Sequence, residues 1–251
     1  MNSPQLTVIA GPNGSGKSTL IEFLMQSGIE FGNYINADDI AKTLETKGDV
    51  GSLEAQQIAD KMREECLSDR QDFAFETVMS HPSKVEFMER SRSLGYCVTL
   101  YFVATDNPLL NVERVRARVK VGGHPVPEDR IISRYSRAVA LLAPAIIAAN
   151  KAVVFDNSAS YANKGFEGLR PVLKTETIRS QENTIQIELF APFLKWSTEA
   201  LKFEALGYET SVISKVGNNA MVRLQLATAS QIPTSFIEKF GRFVDELFLS
   251  N

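Results

Sequence analysis

The chain has 251 residues, of which 44% are hydrophobic and 23% are charged, and this excludes disordered and fibrous proteins in favour of a globular fold with one full α/β domain and something smaller. The formal net charge of −3 argues against a general binder of nucleic acid or anionic membranes. No apolar run approaches the roughly 18 to 20 residues of a membrane helix and the first residues resemble no export signal, so we expect a cytoplasmic protein.

Short β-branched or aromatic runs alternate with helical periodicity between residues 6 and 155. The predicted strands are Leu6–Ala10, Asn33–Asn36, Asp72–Glu76, Cys97–Val103 and Lys151–Phe155. The predicted helices are Lys17–Ser27, Leu53–Ser68, Pro82–Leu94, Asn111–Val121 and Pro127–Ala149. Such alternation predicts an α/β fold in which a five-stranded, mostly parallel sheet is flanked by helices. Cys66 and Cys97 fall in these elements without zinc-site spacing, so we expect reduced packing residues.

The character of the sequence changes after Asp156. A segment rich in Asn, Ser, Ala and Gly follows, and we place a domain boundary near Pro171. The remainder predicts a small C-terminal α+β module of the order β-α-β-β-α, with a strand at 184–189, a helix at 192–206, a hairpin of strands 209–215 and 221–226, and a helix at 234–249. The predicted domains are therefore residues 1–170 and 171–251, and the role of the second is not readable from its neutral charge.

The most informative motif follows the first predicted strand directly and precedes the first helix. It reads Gly11-Pro12-Asn13-Gly14-Ser15-Gly16-Lys17-Ser18-Thr19, which is a P-loop (Walker A motif) in the required strand-turn-helix context. The glycines let backbone amides turn toward phosphate oxygens, Lys17 reaches the β and γ phosphates, and Ser18 offers a hydroxyl to Mg²⁺. The sequence therefore predicts binding of a nucleoside triphosphate.

The rest of the sequence decides which class of P-loop protein this is. A GTPase would carry an Asn-Lys-x-Asp motif, and a motor ATPase would carry a strand ending in consecutive acids followed by a signature or arginine-finger motif; the sequence has neither. A P-loop phosphotransferase remains, which needs a base for the acceptor hydroxyl, contacts that hold the acceptor, and arginines that neutralise the transferred group.

Carboxylates end the second and third predicted strands, where parallel strands open onto the phosphate crevice. Asp38 suits a general base, although an Asp before an apolar-periodic run is equally suited to cap the helix that begins near Asp39. Glu76 and Thr77 are placed to contact an acceptor, with capping of the following loop as the alternative for Glu76.

Positive charge is concentrated between residues 114 and 137, where the net charge is +5. The basic residues are Arg114, Arg116, Arg118, Lys120, Arg130, Arg134 and Arg137. They lie on two predicted helices joined by Gly122-Gly123-His124-Pro125-Val126-Pro127, a turn suited to a lid that folds arginines over phosphates. The alternative is a solvated basic surface.

This set of motifs resembles the zeta-toxin family of P-loop kinases, and the similarity covers Leu6 to about Ser158. It rests on the P-loop, on Ile-Asn-Ala-Asp-Asp-Ile-Ala around Asp38, on Phe-Glu-Thr at residues 75–77, and on the Gly-Gly-His-Pro turn with an arginine on each side. The resemblance implies transfer of the ATP γ-phosphoryl group to a small acceptor such as UDP-N-acetylglucosamine, with Mg²⁺ as cofactor and with an antitoxin protein as a partner.

The resemblance also assigns roles to residues. It implies that Asp38 is the base, that Glu76 and Thr77 hold the acceptor, that Lys17 and Ser18 hold phosphate and metal, and that Arg118 and Arg134 are the lid arginines. Two alternatives from the residues stay open: an ATP-gated interaction protein read out by the C-terminal module, and a kinase that acts on a nucleoside or a nucleic-acid end.

Overall fold

The structure is a computed structural model that describes residues 3–44, 48–158, 169–179, 185–192, 209–216 and 219–226. Its strands are β1 (Gln5–Ala10), β2 (Asn33–Ile35), β3 (Phe73–Thr77), β4 (Cys97–Ala104), β5 (Lys151–Asp156), β6 (Arg170–Arg179), β7 (Ile185–Pro192), β8 (Glu209–Val216) and β9 (Asn219–Leu226). Its helices are α1 (Lys17–Gln26), α2 (Ala37–Thr43), α3 (Gly48–Ser68), α4 (Ser83–Ser93), α5 (Pro108–Lys120), α6 (Glu128–Ala140) and α7 (Leu142–Ala148).

The strands form one sheet in the order β2-β3-β1-β4-β5-β6-β7-β9-β8. The first five pair in parallel, which confirms the predicted five-stranded parallel sheet flanked by helices. The remaining four pair antiparallel and extend the same sheet beyond β5. The predicted hairpin is present as β8 and β9. The helix expected at 234–249 falls outside the described residues, as does the helix expected at 192–206 except for Pro192, which is the last residue of β7.

Strand β6 is not among the sequence predictions. Residues 170–176 of β6 pair with β5, and Pro171, the expected boundary residue, lies inside the strand opposite Phe155. The register of the β5–β6 pair shifts between Val154 and Phe155, next to this proline, as expected because proline has no amide to donate to a sheet. The division into domains 1–170 and 171–251 stays a prediction.

The long helix predicted over Pro127–Ala149 is wrong in one respect, because it is two helices. Helices α6 and α7 meet at Leu141 with a bend of 45°. Pro144 explains the break: a proline ring clashes with the carbonyl four residues earlier, and that residue is Ala140, the last of α6. Pro127 lies at the N-cap, so the predicted helix start is confirmed.

Among the described residues, no single helix is long and apolar enough to cross a membrane. The bent pair of α6 and α7 reaches that length and hydropathy only when both helices are counted together. Much of α7 instead packs inside the protein, where Leu142 and Ala145 are fully buried.

The main core lies between the sheet and helices α3, α4 and α7. Phe73 is almost fully buried there, and it meets the rings of Phe87 and Tyr96 edge-on, with centroids 6.3 and 5.7 Å apart. A second cluster packs α1 against the opposite face through Ile9, Leu20 and Leu24. The sheet is therefore covered on both faces near β1, which is the arrangement that parallel strands require.

Replacement of Phe73 by alanine should lower the free energy of unfolding by about 3 to 5 kcal/mol, because it removes a buried ring and leaves a cavity. Thermal or urea unfolding measures this loss. Leu94→Ala is the matched control, since half of Leu94 is exposed and its truncation should change stability by only about 0.5 kcal/mol. Equal losses in both variants would contradict the described core.

Candidate active site

The central strands end together at one edge of the sheet. Ala10, the last residue of β1, pairs with Thr77 of β3 on one side and with Phe102 of β4 on the other. A cavity of about 2290 Å³ opens at this edge. Its lining includes the P-loop residues Asn13, Gly14, Gly16, Lys17, Ser18 and Thr19 and the predicted site residues Asp38, Glu76, Thr77, Arg118 and Arg134.

The P-loop follows β1 and leaves no room for side chains at its glycines. A Cβ atom on Gly11 would lie 2.1 Å from the Val103 carbonyl oxygen, and one on Gly14 would lie 2.5 Å from the Asn111 carbonyl oxygen. Both glycines also have positive φ angles, of +151° and +77°, which other residues adopt only at a cost. Backbone packing therefore explains why these two positions are glycine.

Two asparagine side chains hold the loop from outside the cavity. The Asn111 amide donates to the carbonyl oxygen of Asn13 and the Asn157 amide donates to that of Ser15, both at 2.8 Å. Two of the loop carbonyls are therefore held by side chains that do not line the cavity. Asn157 thus supports the P-loop from behind.

The start of α1 is suited to an anion. Its N-cap, Gly16, provides no side-chain hydrogen bond, and its first turn contains no acidic residue, so the free amides and the positive end of the helix dipole face the loop. These free amides fit bound phosphate oxygens. Among the described residues, no hydrogen-bond partner meets the Ser15 hydroxyl, which is fully buried. Gly11, Pro12 and Ser15 are themselves buried and form the wall of the loop rather than the cavity surface.

Lys17 is a buried cation next to the P-loop. Its Nζ donates to the carbonyl oxygens of Gly11 and Pro12 at 3.0 and 3.2 Å and lies 3.6 Å from Glu76 Oε1. Burial lowers the pKa of Lys17, and the negative charges of Glu76 and Asp38 oppose that shift. The ammonium group is therefore held in a position where phosphate oxygens would improve its solvation.

Glu76 is fixed by two side chains from the neighbouring strand and loop. Its Oε2 accepts hydrogen bonds from the Tyr34 hydroxyl at 3.2 Å and from the Asn36 amide at 3.0 Å. Burial, followed by the charge of Glu76, raises the pKa of Tyr34 well above its usual range. Sequence reasoning missed both partners, although Asn36 stands in the motif around Asp38. These contacts are tertiary, so the suggested loop-capping role of Glu76 is not what the structure shows.

Asp38 does not cap α2, so that alternative is wrong. The N-cap is Asn36, whose side-chain oxygen accepts from the Asp38 amide at 2.8 Å. Asp38 is exposed in the first helical turn and lines the cavity, whereas its neighbour Asp39 pairs with Lys42 at 2.6 Å. The Asp38 carboxylate thus remains a candidate base, and its role stays a prediction.

Thr77 ends β3 at a tight turn. Its carbonyl accepts from the Gly11 amide at 3.2 Å, and its hydroxyl oxygen accepts from the Met79 amide at 3.1 Å. Met79 is fully buried and has a φ of +56°, which is an unusual backbone conformation for a residue other than glycine. Thr77 therefore joins the end of β3 to the P-loop, and a contact between its side chain and a substrate stays a prediction.

The basic cluster divides into two groups. Arg114, Arg118, Arg130 and Arg134 line the cavity, whereas Arg116, Lys120 and Arg137 do not. Arg116 pairs with Glu128 across the turn, and Arg134 lies 3.5 Å from the Asn13 side-chain oxygen. Four of the seven basic residues thus face the P-loop cavity, which does not support the alternative of a purely solvated surface.

The turn between the two arginine helices packs onto the end of α5. The Gly123 amide donates to the Arg118 carbonyl at 2.9 Å, and a Cβ atom on Gly123 would lie 2.5 Å from Arg118 Cγ. The Arg118 guanidinium in turn donates to the His124 carbonyl at 3.2 Å. The Gly-Gly-His-Pro turn therefore positions Arg118.

The residues that fit a metal ion are few. Ser18 is exposed on the cavity surface, and the described part of the chain contains no group of three or more His, Cys, Asp or Glu residues arranged for a metal. Mg²⁺ at nucleotide sites takes few ligands from the protein because phosphates and water complete its coordination. A single hydroxyl beside the phosphate cradle fits that pattern.

The far wall of the cavity contains residues that sequence reasoning missed. Gln56 and Arg63 of α3 and Lys84 of α4 line it. Arg63 is 5% exposed, pairs with Asp60, and lies 4.9 Å above the Phe75 ring. These residues belong to no recognisable motif, and only the tertiary fold brings them to the site.

Comparisons with known proteins agree with this geometry. The family model described as Zeta toxin matches residues 1–165. An uncharacterized protein of Haemophilus influenzae is 30% identical over 126 residues, which are 50% of this chain and 88% of that protein.

Two solved structures are also similar to this chain. The AvrRxo1-ORF1:-ORF2 complex with ATP superposes with a TM-score of 0.51 at 15% identity, over 68% of this chain and 58% of that one. The PezAT toxin–antitoxin system of Streptococcus pneumoniae gives a TM-score of 0.47 at 15% identity, over 64% of this chain and 71% of that one. With the family model matching well over half of the sequence, the chain belongs to the zeta toxin family and is a P-loop phosphotransferase.

Proposed function

We propose that the protein transfers the γ-phosphoryl group of ATP to a hydroxyl of a small acceptor such as a UDP-N-acetyl sugar. The observation that carries the proposal is one cavity that contains a phosphate cradle, a candidate base and arginines together: Lys17, Asp38, Glu76, Arg118 and Arg134 all line it. Phosphoryl transfer needs these three kinds of group and little else from the protein.

The donor side is the P-loop. The amides of the loop and of the start of α1, together with Lys17, would hold the phosphates. Ser18 would hold Mg²⁺, which would reduce the negative charge of the phosphates when bound. Arg118 of α5 and Arg134 of α6, which line the same cavity, would neutralise the charge that develops on the transferred group.

The acceptor side is formed by the two carboxylates. In the proposed reaction the acceptor oxygen forms a bond to the γ-phosphorus, the bond to the ADP oxygen breaks, and the acceptor proton passes to Asp38. Glu76 is already oriented by Tyr34 and Asn36, so its remaining lone pairs would accept from acceptor hydroxyls. Its ion pair with Lys17 links the acceptor side to the donor side.

Transfer from γ-labelled ATP to a panel of nucleotide sugars, nucleosides and RNA ends tests this function. We expect label on a UDP-sugar, identified by chromatography and mass spectrometry. Label on a nucleoside or an RNA end would replace the acceptor class while retaining the kinase chemistry. ATP binding without transfer to any acceptor would instead favour the ATP-gated interaction protein.

The Asp38→Asn variant should lose transfer by about 100-fold or more, because the amide keeps the shape of the side chain and cannot take the acceptor proton. ATP affinity should remain within about twofold, since Asp38 lies outside the P-loop. Initial rates with labelled ATP and calorimetric titration measure the two quantities.

Asp39→Asn is the matched control, because Asp39 is adjacent, also exposed, and engaged with Lys42 instead. Its transfer rate should stay within about threefold of the wild type. A similar loss in both variants would indicate a general charge effect and would contradict the assignment of Asp38 as the base.

We propose further that the protein acts as the toxin of a toxin–antitoxin pair, with a protein antitoxin as its partner. Its support is the family, and the PezAT neighbour is named as such a system. Induced expression of the wild-type chain should arrest growth of a bacterial host, whereas Asp38→Asn should not, because the arrest would require phosphoryl transfer. Growth curves at matched protein levels measure this. Arrest by both forms would separate toxicity from catalysis.

A further inference from the structure

A chain of buried polar contacts joins the P-loop to both arginine helices. Thr105, directly after β4, is fully buried, and its hydroxyl donates to the side-chain oxygen of Asn111 in α5. Asn111, also fully buried, donates from its amide to the Asn13 carbonyl of the P-loop. The Thr105 carbonyl accepts from the Tyr135 hydroxyl of α6 at 2.6 Å. The three side chains therefore connect three separate elements.

The two ends of this hydrogen-bond network lie next to the same P-loop residue. Asn111 is locked against the loop, because its backbone lies where any side chain on Gly14 would have to be. Tyr135 is buried and directly follows Arg134, which lines the cavity and lies 3.5 Å from the Asn13 side-chain oxygen. The network thus reaches Asn13 twice: Asn111 contacts its backbone carbonyl, and Arg134 lies near its side chain.

We propose that Asn111, Thr105 and Tyr135 form a positioning unit that keeps Arg134 in register with the γ-phosphate end of the P-loop. The inference rests on the proposed function, because it takes Arg134 to be a lid arginine. An arginine side chain loses conformational entropy when it is held in one geometry. If its helix is already fixed before the substrate binds, substrate binding has to supply less of this entropy cost. Tyr135, which is adjacent to Arg134, fixes α6 to Thr105 through its hydroxyl. Asn111 connects Thr105 to the P-loop.

The test is a double-mutant cycle on nucleotide affinity with Mg²⁺ present. Its variants are Arg134→Ala, Tyr135→Phe and the combination, and its probes are β,γ-imido ATP and ADP, measured by calorimetry. Loss of the arginine should weaken the imido analogue about tenfold, and loss of the hydroxyl should weaken it about fivefold, because charge-assisted contacts to phosphate are strong. The combined variant should match Arg134→Ala alone, since a positioning residue has no effect once its target is gone.

ADP separates the two ends of the unit. Tyr135→Phe should leave ADP affinity within about twofold, because ADP lacks the phosphate that Arg134 would reach. Asn111→Ala should weaken ADP and the imido analogue alike, because it releases the Asn13 carbonyl and disturbs the whole loop.

Tyr96→Phe is the matched control. Tyr96 is buried like Tyr135, and its hydroxyl donates to the Cys66 carbonyl at 2.9 Å, near the start of β4 and away from the cavity. Its removal should lower thermal stability as Tyr135→Phe does while leaving both nucleotide affinities unchanged.

The outcomes distinguish the two proposals. Additive losses in the combined variant, or an unchanged Tyr135→Phe beside a weakened Arg134→Ala, would overturn the positioning unit and leave the kinase assignment standing. An unchanged affinity in Arg134→Ala would contradict the lid role in the proposed function and, with it, this inference. If Tyr96→Phe weakened affinity for the imido analogue as much as Tyr135→Phe does, lower stability alone would explain the loss, and the inference would also be overturned.

Discussion

The site depends on one packing constraint, which is that the turn after β1 has no space for a side chain at its three glycine positions. Three neighbours close on its glycines: the Val103 carbonyl at Gly11, the Asn111 backbone at Gly14, and the Asn157 amide nitrogen at Gly16, where a Cβ atom would lie only 2.3 Å away. Because the neighbours come from β4, α5 and the end of β5, the loop shape is set by the assembled sheet. A phosphate cradle of this kind is therefore a product of tertiary structure that a local motif makes possible.

The cavity contains an ion pair between a buried lysine and a glutamate. Lys17 is buried among carbonyl oxygens and lies near Glu76, which two neutral donors orient. Leaving either charge alone in this setting would be costly. The pair explains how an ammonium group remains in place within an anion site, and it joins the P-loop to the end of β3.

Much of this arrangement could be predicted from the sequence, and the rest could not for identifiable reasons. Period and turn chemistry located all five parallel strands, and the P-loop, Asp38, Glu76 and the lid arginines stand in motifs. Tyr34, Arg63 and Asn111 stand in none, because their contacts join residues distant in sequence or depend on packing. Strand β6 was missed because its proline and its alternating charges obscure the period of a strand that pairs at the end of a parallel sheet. The site roles themselves stay predictions.

The fold also distributes charge along the cavity in a way that separates two chemical tasks. Four arginines line the part built from α5 and α6, whereas Asp38 follows β2 and Glu76 lies in β3. A triphosphate needs cations around it, and an acceptor hydroxyl needs a nearby carboxylate that is free to take a proton. Because the sheet order places β1 between β3 and β4, the phosphate cradle lies between these two groups. A phosphoryl group leaving the cradle would therefore move from the positive side toward the carboxylates, which is the direction that the proposed transfer requires.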